Sequence, residues 1–481
     1  MRWLALYLPQ LPLEVFSRGR RQGGALAVVE PVGGRERVCR CDAAAASYGV
    51  QAGQALPTAL ALCTGLAVQR RDRAREQRAL EDLAAWAYQF TPRIRFEPAL
   101  LLLEVGASLR LFGGLPSLLQ TLRQGLDRLG YRVQHAVAPT PMAAGLLARN
   151  RPGCEVLAHA ALHAAVAELP LHRLTREPAL RELVRHIGLE RIGEVLTLPR
   201  PELARRAGPD LIKLLDRLLG RQPDLRPEWQ PPARFDQVIE LLGEIGHSTA
   251  LVFPARRLMV ALCGFLRGLG GGTQQLHWRL QHRDRPDTPF ELGLLAPGRD
   301  PDHMLELFRE RCERLCLPAP VVGVGLRVDH WSVLDAHDLA LFGDAASHDH
   351  ALLERLDSRL GGERVRGLRC LADHRPERAW RLCAPGEADA AVGTDARVLP
   401  QALAQPPWLL PRPRPLQASR GVPQYGGALR LEGLPERIEA GWWDGFDVSR
   451  DYFVAHSPAG ERLWVFRDRR GGGWYLHGLF V

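Results

Sequence analysis

The chain of 481 residues is too long for a single hydrophobic core, and at about 100–200 residues per domain it predicts three or four domains. Its formal net charge of +9 favours a polyanionic partner such as nucleic acid. Nine scattered cysteines without paired CxxC spacing argue against zinc knuckles and a disulfide framework, and the lack of an apolar run of about 18 residues argues against a membrane span, so we expect a cytoplasmic protein.

Residues 1–168 alternate between strand and helix patterns. Strands are predicted at 4–8, 100–105 and 132–137, and helices at 75–88 and 115–129. These alternating elements predict a layered α/β unit, with a smaller unit inserted between residues 10 and 75.

Two of these strands resemble the metal-binding strands of the Y-family translesion DNA polymerases. The block from Trp3 to Phe16 is similar to the family's opening strand and helix, in which aspartates stand at the positions of Tyr7 and Pro9. The block 99–113 is similar to the family's palm strand, in which an Asp-Glu pair stands at the positions of Ala99 and Leu100.

Two further segments carry the resemblance and lack the family's charged residues. In 42–50, Ala43 and Ala46 stand where the family places a tyrosine and an arginine against the incoming triphosphate. In 136–145, Pro141 and Gly145 stand where it places two lysines. The resemblance therefore implies the frame of a polymerase without its nucleotide contacts.

Nucleotidyl transfer requires carboxylates that hold two Mg²⁺ ions about 3.5–4 Å apart. Tyrosine, alanine and leucine cannot supply these ligands, so we predict no catalytic residues, no metal and no cofactor. The alternative is an active polymerase with displaced metal ligands. The acidic residues nearest to the two strands, which would then bind the metals, are Glu14, Glu97 and Glu104.

The resemblance implies an α/β (α+β) multidomain chain with the right-hand architecture of this family. The palm with inserted fingers would span 1–168, the helical thumb 169–228 and the little finger 229–334, followed by a C-terminal region at 335–481. In the little finger, strands are predicted at 234–241, 275–281 and 321–328, and helices at 253–269 and 303–316.

The thumb contains a segment, 187–196, that resembles a helix-hairpin-helix. Gly188 and Gly193 would permit the tight turn whose backbone N–H groups meet a DNA phosphate. Basic residues that follow this segment in the sequence, and that would also contact DNA, are Arg205, Arg206 and Lys213. A packing hairpin without any DNA contact is the alternative.

In the little finger, the candidate phosphate contacts are Arg256, Arg257 and Arg279. Contacts of this kind would position the protein on DNA without reading its sequence. The alternative for each arginine is a solvated surface charge. Arginine carries almost all of the positive charge of the chain, since Lys213 is the only lysine.

The C-terminal region begins with a short segment, 337–342, that resembles the peptides docking on the bacterial sliding clamp. Its contact residues would be Asp338, Leu339, Leu341 and Phe342, with Asp338 at a position where glutamine is usual. Leu341 and Phe342 would fill an apolar pocket as anchors. A strand of the C-terminal region is the alternative.

The remaining C-terminal sequence is rich in prolines and then in aromatic residues. The segment 405–416 is too proline-dense for a helix or a central strand, and it is either an extended peptide for a partner or a strap over its own domain. Aromatic residues alternate along 442–480 around glycine-rich turns, which predicts a small β-rich unit. Most of these aromatic residues are expected in its core, and a protein interface is the alternative.

Two features narrow the resemblance to the ImuB family of a bacterial DNA-damage mutagenesis system. They are the lack of carboxylates at the catalytic positions and the terminal segment 474–480. The resemblance implies a noncatalytic adaptor that binds primer-template DNA during induced translesion synthesis. It also implies three protein partners: the sliding clamp, an ImuA-like RecA-related protein and the error-prone C-family polymerase ImuC. A clamp-binding competitor without a recruiting role remains a further alternative.

Overall fold

A computed structural model describes residues 1–18, 24–175, 182, 186, 188–334, 345–385 and 405–480 of the chain, without the side chains of residues 206, 207 and 345–349. The chain divides into two compact units, Met1–Arg359 and Leu360–Val481. Each unit is described by itself.

The N-terminal sheet is formed by four short antiparallel strands in the order β5-β6-β1-β7. The strands are β1 (Trp3–Tyr7), β5 (Ile94–Glu97), β6 (Leu100–Glu104) and β7 (Gln134–Ala138). Successive side chains of β6 point to opposite faces of the sheet. Both faces are buried, because each is covered by an apolar cluster. Leu101 and Leu103 enter one apolar cluster, and Leu100 and Leu102 enter another.

Helices cover both faces of this sheet. The residues Leu101 and Leu103 pack in a cluster with α4 (Arg73–Ala87) and α5 (Leu115–Leu129), whereas Leu100 and Leu102 pack with α6 (Pro141–Asn150). Helix α5 presents leucines at helical spacing to the core and ends at Gly130, whose φ of 80° gives the left-handed C-cap.

A small sheet in the order β3-β2-β4 lies between β1 and α4 in the sequence. Its elements are α1 (Leu11–Ser17), β2 (Leu26–Val32), β3 (Arg35–Cys41), α2 (Ala43–Ser47), α3 (Leu56–Leu62) and β4 (Ala67–Arg70). It has its own apolar cluster around Ala27, Val29 and Val38, so it forms a separate small core.

Three helices pack on the Leu100 side of the N-terminal sheet. They are α7 (His159–Ala167), α8 (Ile192–Thr197) and α9 (Arg200–Leu218). Helix α9 is kinked at Gly208, whose φ of 72° is followed by Pro209 inside the helix. Because residues of all three helices belong to the apolar cluster of Leu100 and Leu102, the helices share one hydrophobic core with the sheet.

The middle sheet has the strand order β10-β9-β11-β8, with the short strand β12 paired to β9. Its elements are β8 (Phe235–Ile245), α10 (Val252–Gly268), β9 (Gly271–His282), β10 (Thr288–Gly298), α11 (Pro301–Arg314), β11 (Val321–Val328) and β12 (Ser332–Val333), and α12 (Ala345–Leu360) follows. Helix α10 is the core helix of this region, since its residues pack together with those of α4 and α5.

One tryptophan fixes the contact between these helices. A Cβ atom added at Gly125 of α5 would lie 2.2 Å from Trp86 of α4, and one added at Gly264 of α10 would also lie 2.2 Å from the Trp86 ring. The Trp86 side chain is 3% exposed. Both glycines are therefore required for the close approach of α5 and α10 to α4.

The helical stretch Ser248–Gly268 is long and apolar enough to cross a membrane. Its apolar side chains, including Leu258, Leu262 and Phe265, lie in the core between the middle sheet and α4. Burial in this core explains its apolar composition, so the stretch does not indicate a membrane protein.

The C-terminal unit contains a two-stranded sheet and a six-stranded sheet in the order β16-β15-β20-β19-β18-β17. The two-stranded sheet is formed by β13 (Gly367–Cys370) and β14 (Trp380–Cys383). The larger sheet is formed by β15 (Trp408–Ser419), β16 (Val422–Gln424), β17 (Arg430–Ala440), β18 (Val448–His456), β19 (Arg462–Asp468) and β20 (Trp474–Phe480).

The core of the larger sheet is aromatic. Tyr452 stacks on Trp464 with 4.1 Å between the ring centroids, and its hydroxyl lies 2.7 Å from Nδ1 of His477. Burial lowers the pKa of His477 to about 4, so its imidazole is neutral in the folded unit near pH 7.

The proline-rich segment is a strand of its own domain, β15, which pairs with β20. A strand in this sheet was not expected at this proline density. Pro411 and Pro413 lie where the register with β20 shifts, and β16 pairs only with Gln417, Ala418 and Ser419. The missing N–H groups of these two prolines therefore fall where the strand ladder is interrupted.

Candidate functional site

Residues at the predicted metal-binding positions lie in one row across the N-terminal sheet. Tyr7 of β1 pairs with Leu100 of β6, and Leu100 pairs with Glu97 of β5. Ala99 directly precedes this row with a φ of 55°, and its carbonyl oxygen accepts the N–H of Leu8 at 2.9 Å. The strands thus bring together the positions that sequence comparison singled out.

Gly145 of α6 lies next to this row, close to Leu100 of the row and to Arg149. A Cβ atom at Gly145 of α6 would lie 3.0 Å from Cδ2 of Leu100 and 3.6 Å from a guanidinium nitrogen of Arg149. The Arg149 guanidinium carbon lies 5.5 Å from the centroid of the Tyr7 ring. Gly145 therefore leaves room for the Leu100 side chain, and Arg149, one helical turn later, supplies a positive charge.

Glu97 is the acidic residue of this row, and two arginines bind it. Arg149 lies 2.7 Å from its carboxylate, and Arg226 donates a further hydrogen bond to it. Burial of Glu97 acts to raise its pKa, but the two guanidinium groups outweigh burial and hold the pKa below its usual value. The carboxylate is therefore ionised and fully paired with cations.

Arg226 belongs to a connecting segment, 222–232, that lies along β5. Within this segment, the carbonyl oxygen of Asp224 accepts a hydrogen bond from Arg95 at 2.6 Å, and the N–H of Trp229 donates to Ile94 at 2.8 Å. Glu228 lies 3.1 Å from both Arg93 and Arg95. Alternating charges therefore fasten this segment to the edge of the N-terminal sheet.

The other two acidic residues of the active-polymerase alternative lie apart from Glu97. Glu104 pairs with Trp3 at the far end of β6, about 14 Å from Leu100 at 3.4 Å per residue. Its carboxylate accepts the N–H groups of Arg2 and Gly106 at 2.9 and 3.2 Å. Glu104 therefore closes a turn.

Glu14 lies in α1, where its carboxylate accepts the N–H of Arg132 at 2.7 Å. Burial raises the pKa of Glu14 to about 7. No group of three or more His, Cys, Asp and Glu side chains that could hold a metal ion occurs among the described residues. The three acidic side chains do not converge on one site.

Replacing Glu97 with glutamine is expected to lower the free energy of unfolding by about 2 kcal/mol, less than a fully buried ion pair because the three side chains are partly exposed. A carboxyl with a lowered folded-state pKa stabilises the protein above its unfolded-state pKa and loses this contribution as the pH falls through the folded-state pKa. The difference from wild type should therefore shrink on acidification.

Urea denaturation at neutral pH and at a pH below the ordinary carboxyl pKa of 4.5 measures this difference. Glu313→Gln is the matched control, because Glu313 is exposed and has no hydrogen bond or ion pair among the described residues. Equal stability of the Glu97 and Glu313 variants would show that the ion pairs contribute nothing.

In the predicted DNA-binding hairpin, the carboxylate of Glu194 accepts hydrogen bonds from the hairpin backbone. Glu194 accepts the N–H groups of Glu190 and Arg191 at 2.9 and 3.2 Å. A Cβ atom at Gly193 would lie 3.0 Å from the Cβ of Ala167, whereas Gly188 has open space and a φ of 75°. Gly193 thus serves helix packing, and two backbone N–H groups of the hairpin, those of Glu190 and Arg191, already have an acceptor.

The basic residues predicted after the hairpin lie on α9. Arg205 is exposed, whereas Lys213 is 3.0 Å from Asp210 one turn earlier. Arg206 also lies in α9, and its side chain is outside the described part of the structure. A phosphate contact by Lys213 would have to compete with its aspartate.

The three arginines predicted in the little finger differ in their surroundings. Arg256 of α10 is exposed. Arg257 packs over Phe253 with 4.4 Å from its guanidinium carbon to the ring centroid, and burial lowers its pKa to about 10. Arg279 of β9 lies 3.5 Å from Asp287. Of these residues, Arg256 is the arginine best placed to meet a phosphate.

One loop of the C-terminal unit exposes its aromatic residues, as the interface alternative for 442–480 requires. Trp442, Trp443 and Phe446 are 73%, 58% and 66% exposed, whereas Trp464 and Trp474 are buried. Arg375, which is 2% exposed, donates to Asp444 at 2.7 Å and to the carbonyl oxygen of Phe446 at 3.1 Å. The buried guanidinium group of Arg375 therefore fixes the backbone of the loop that carries three exposed aromatic rings.

The predicted clamp-binding residues Asp338, Leu339, Leu341 and Phe342 lie outside the described residues. This motif therefore stays a prediction from the sequence.

Comparison with known proteins identifies relatives along most of the chain. Residues 14–149 match the impB/mucB/samB family. The protein ImuB of Caulobacter vibrioides (strain NA1000 / CB15N) is 29% identical over 465 residues, which cover 90% of this chain and the whole of that protein. The ImuB sequence from a second strain of this species matches to the same extent.

Solved structures with a similar chain trace include an insertion ternary complex of Dbh DNA polymerase, with a TM-score of 0.39 and 14% identity. It covers 69% of this chain and 100% of the solved chain. DinB from Sulfolobus solfataricus has a TM-score of 0.36 and 14% identity, and it covers 70% of this chain and 100% of the solved chain.

The sheets and helices described above form a mixed α/β multidomain protein with a β-rich C-terminal unit, and the match of residues 14–149 to the impB/mucB/samB family agrees with this architecture, which confirms the predicted fold class. Within that class, the chain is an ImuB-like protein, given the match to ImuB over 90% of its length.

Sequence reasoning missed Arg149 and Arg226 as members of the site. A signal for Arg149 was present, because it stands four residues after Gly145 and therefore on the same face of a helix. Arg226 carries no comparable signal, since 129 residues separate it from Glu97 in the sequence.

Proposed function

We propose that this chain is a noncatalytic adaptor in DNA-damage-induced translesion synthesis and mutagenesis. It binds primer-template DNA in the cytoplasm and links the sliding clamp to an error-prone C-family polymerase, ImuC, and to an ImuA-like RecA-related protein. The observation that carries this proposal is the row Tyr7, Leu100 and Glu97, in which two arginines bind the single carboxylate.

Two Mg²⁺ ions need several free carboxylate oxygens in near-octahedral geometry. At this row a phenol ring, an aliphatic side chain and a carboxylate paired with cations occupy the place of such ligands. Metal binding by Glu97 would require the loss of both its arginine partners. The active-polymerase alternative would also need Glu104 to leave its turn, which makes it the weaker proposal.

In the proposed adaptor, the N-terminal sheet corresponds to the palm, the small sheet to the fingers, helices α7 to α9 to the thumb and the middle sheet to the little finger. DNA contacts are proposed for Arg205 and Arg256, whose exposed side chains have no acidic partner among the described residues, and for Arg206 beside Arg205 on α9. The remaining candidates are weaker: Gly188, Lys213 and Arg279 could still meet a phosphate, whereas Gly193 and Arg257 are proposed to act in packing.

Recruitment of a polymerase is proposed for the C-terminal unit. Exposed tryptophans are the residues most enriched among interface anchors, and a side chain held in place before binding loses less entropy. Trp442, Trp443 and Phe446 meet both conditions, since they are exposed and the buried Arg375 network holds their loop. This feature favours recruitment over the alternative of a clamp-binding competitor.

Immobilised full-length protein should capture the clamp and the C-family polymerase together. The W442A/W443A/F446A variant is expected to lose at least 100-fold in polymerase affinity and to retain the clamp, because several anchors are removed at once. Leu434→Ala is the control, since Leu434 is 93% exposed on strand β17. Capture of the clamp alone by wild-type protein would favour the competitor and contradict the adaptor.

A further inference from the structure

Strand β15 and the hairpin after it carry positive charge without any acidic residue. Residues 405–431 contain four arginines, at positions 412, 414, 420 and 430, and no aspartate or glutamate. The chain as a whole has 63 basic and 54 acidic residues, so a stretch of this length without a carboxylate is a local departure from the overall balance.

All four arginines are exposed and have no ion pair or side-chain hydrogen bond within the part of the chain that the structure describes. Three of them, Arg412, Arg414 and Arg420, lie on β15 or in the turn after it. Other arginines of the same unit, such as Arg437 and Arg450, lie 2.8 and 2.9 Å from a carboxylate. The three guanidinium groups are therefore available to an external anion.

These residues follow strand β15 and the turn after it. Arg412 and Arg414 are two residues apart on β15, a separation of about 7 Å at 3.4 Å per residue. Arg420 lies in the turn to β16 with a φ of 51°. Trp408, which is 63% exposed, stands at the start of the strand. We refer to Trp408, Arg412, Arg414 and Arg420 as the β15 strip.

The outer edge of β15 is unsuited to the addition of a partner strand. Pro411, Pro413 and Pro415 lack N–H donors, and β16 already pairs with residues 417–419. The strip therefore has side chains rather than backbone groups to offer a ligand. Spaced guanidinium groups suit phosphate oxygens, and an exposed indole suits an unpaired base.

We propose that the β15 strip binds single-stranded DNA. The arginines would contact successive phosphates, and Trp408 would stack on a base that is not paired with a complementary strand. This site goes beyond the proposed adaptor function, because it is a second DNA contact that is separate from the primer-template contacts proposed in the first unit.

Fluorescence anisotropy of the full-length protein with labelled oligothymidylate and with a blunt duplex tests this site. The R412E/R414E variant is expected to bind oligothymidylate at least tenfold more weakly, with a salt slope reduced by about 1.4, or about 0.7 for each phosphate that is no longer neutralised. Duplex binding should stay within twofold. Trp408→Ala should cost about tenfold on oligothymidylate alone.

The matched control is R364E/R381E, which changes the charge of the same unit equally at two exposed arginines without ion pairs among the described residues. Equal reductions of affinity in both double variants would show that only the net charge of the unit matters, which would overturn the proposal. Thermal melting of each variant checks that it folds.

Photocrosslinking of 5-iodouracil DNA to the wild-type protein locates the binding site independently. A crosslink within residues 405–425 supports the site, and crosslinks confined to the first unit overturn it. Absence of binding at β15 with intact primer-template binding would leave the adaptor proposal standing, whereas a protein that binds no DNA of either kind would refute both.

Discussion

Replacing Gly264 with alanine is expected to lower the free energy of unfolding of the first unit by about 3 kcal/mol. The added Cβ would lie 2.2 Å from Trp86 Cδ1 and 2.7 Å from the Gln89 side chain, which is far inside van der Waals contact. Trp86 cannot move away easily, because α5 packs against its ring at Gly125. A Cβ atom built at Gly125 would also lie 2.2 Å from the ring. Urea denaturation followed by tryptophan fluorescence measures the loss of stability.

Gly243→Ala is the control, since a Cβ at Gly243 meets nothing within 4 Å. The second variant is W86L/G264A, in which the smaller side chain leaves space for the alanine methyl. Removal of Trp86 should make the Gly264 substitution nearly neutral, so the two changes should be strongly non-additive. Additive effects on stability would show that the packing of α10 on α4 does not depend on this ring.

Replacing Leu341 and Phe342 with alanine is expected to weaken binding of the sliding clamp by more than 100-fold. The reason is that two apolar anchors of a short peptide carry most of its binding energy. Asp338→Gln should act in the opposite direction, because a neutral amide at this position matches the usual peptide and removes a charge. Surface plasmon resonance on immobilised clamp measures both.

The W442A/W443A/F446A variant is the control for clamp binding and should behave like wild type. Unchanged affinity after the removal of the Leu341 and Phe342 side chains would contradict the assignment of 337–342 as the clamp motif.

The elements that the sequence predicted well are those with strong local signals. Helix α5 was predicted at 115–129 and spans Leu115–Leu129, because its leucines follow helical spacing and Gly130 ends it. Strand β11 was predicted at 321–328 and spans Val321–Val328. Strand β10 was missed because Pro289 and Gly293 interrupt an otherwise alternating pattern.

The candidate site was predictable only in part. The resemblance predicted that Tyr7, Ala99 and Leu100 stand at the family's metal-ligand positions, and β1 and β6 bring these three positions together. The pairing of Glu97 with Arg149 and Arg226 was not visible, because it depends on tertiary contacts between a strand, a helix and a distant connecting segment. The occupation of hairpin amides by Glu194 was also hidden, since glycine spacing alone does not show which acceptor the amides meet.

Primer extension by the purified protein, with all four deoxynucleotides and Mg²⁺ or Mn²⁺, tests the central claim most directly when DNA binding is measured on the same sample. We predict that the protein binds primer-template DNA and adds no nucleotide. Metal-dependent extension that persists through stringent purification and is abolished by Glu97→Gln or Glu104→Gln would contradict the adaptor and assign the chain to the active polymerases.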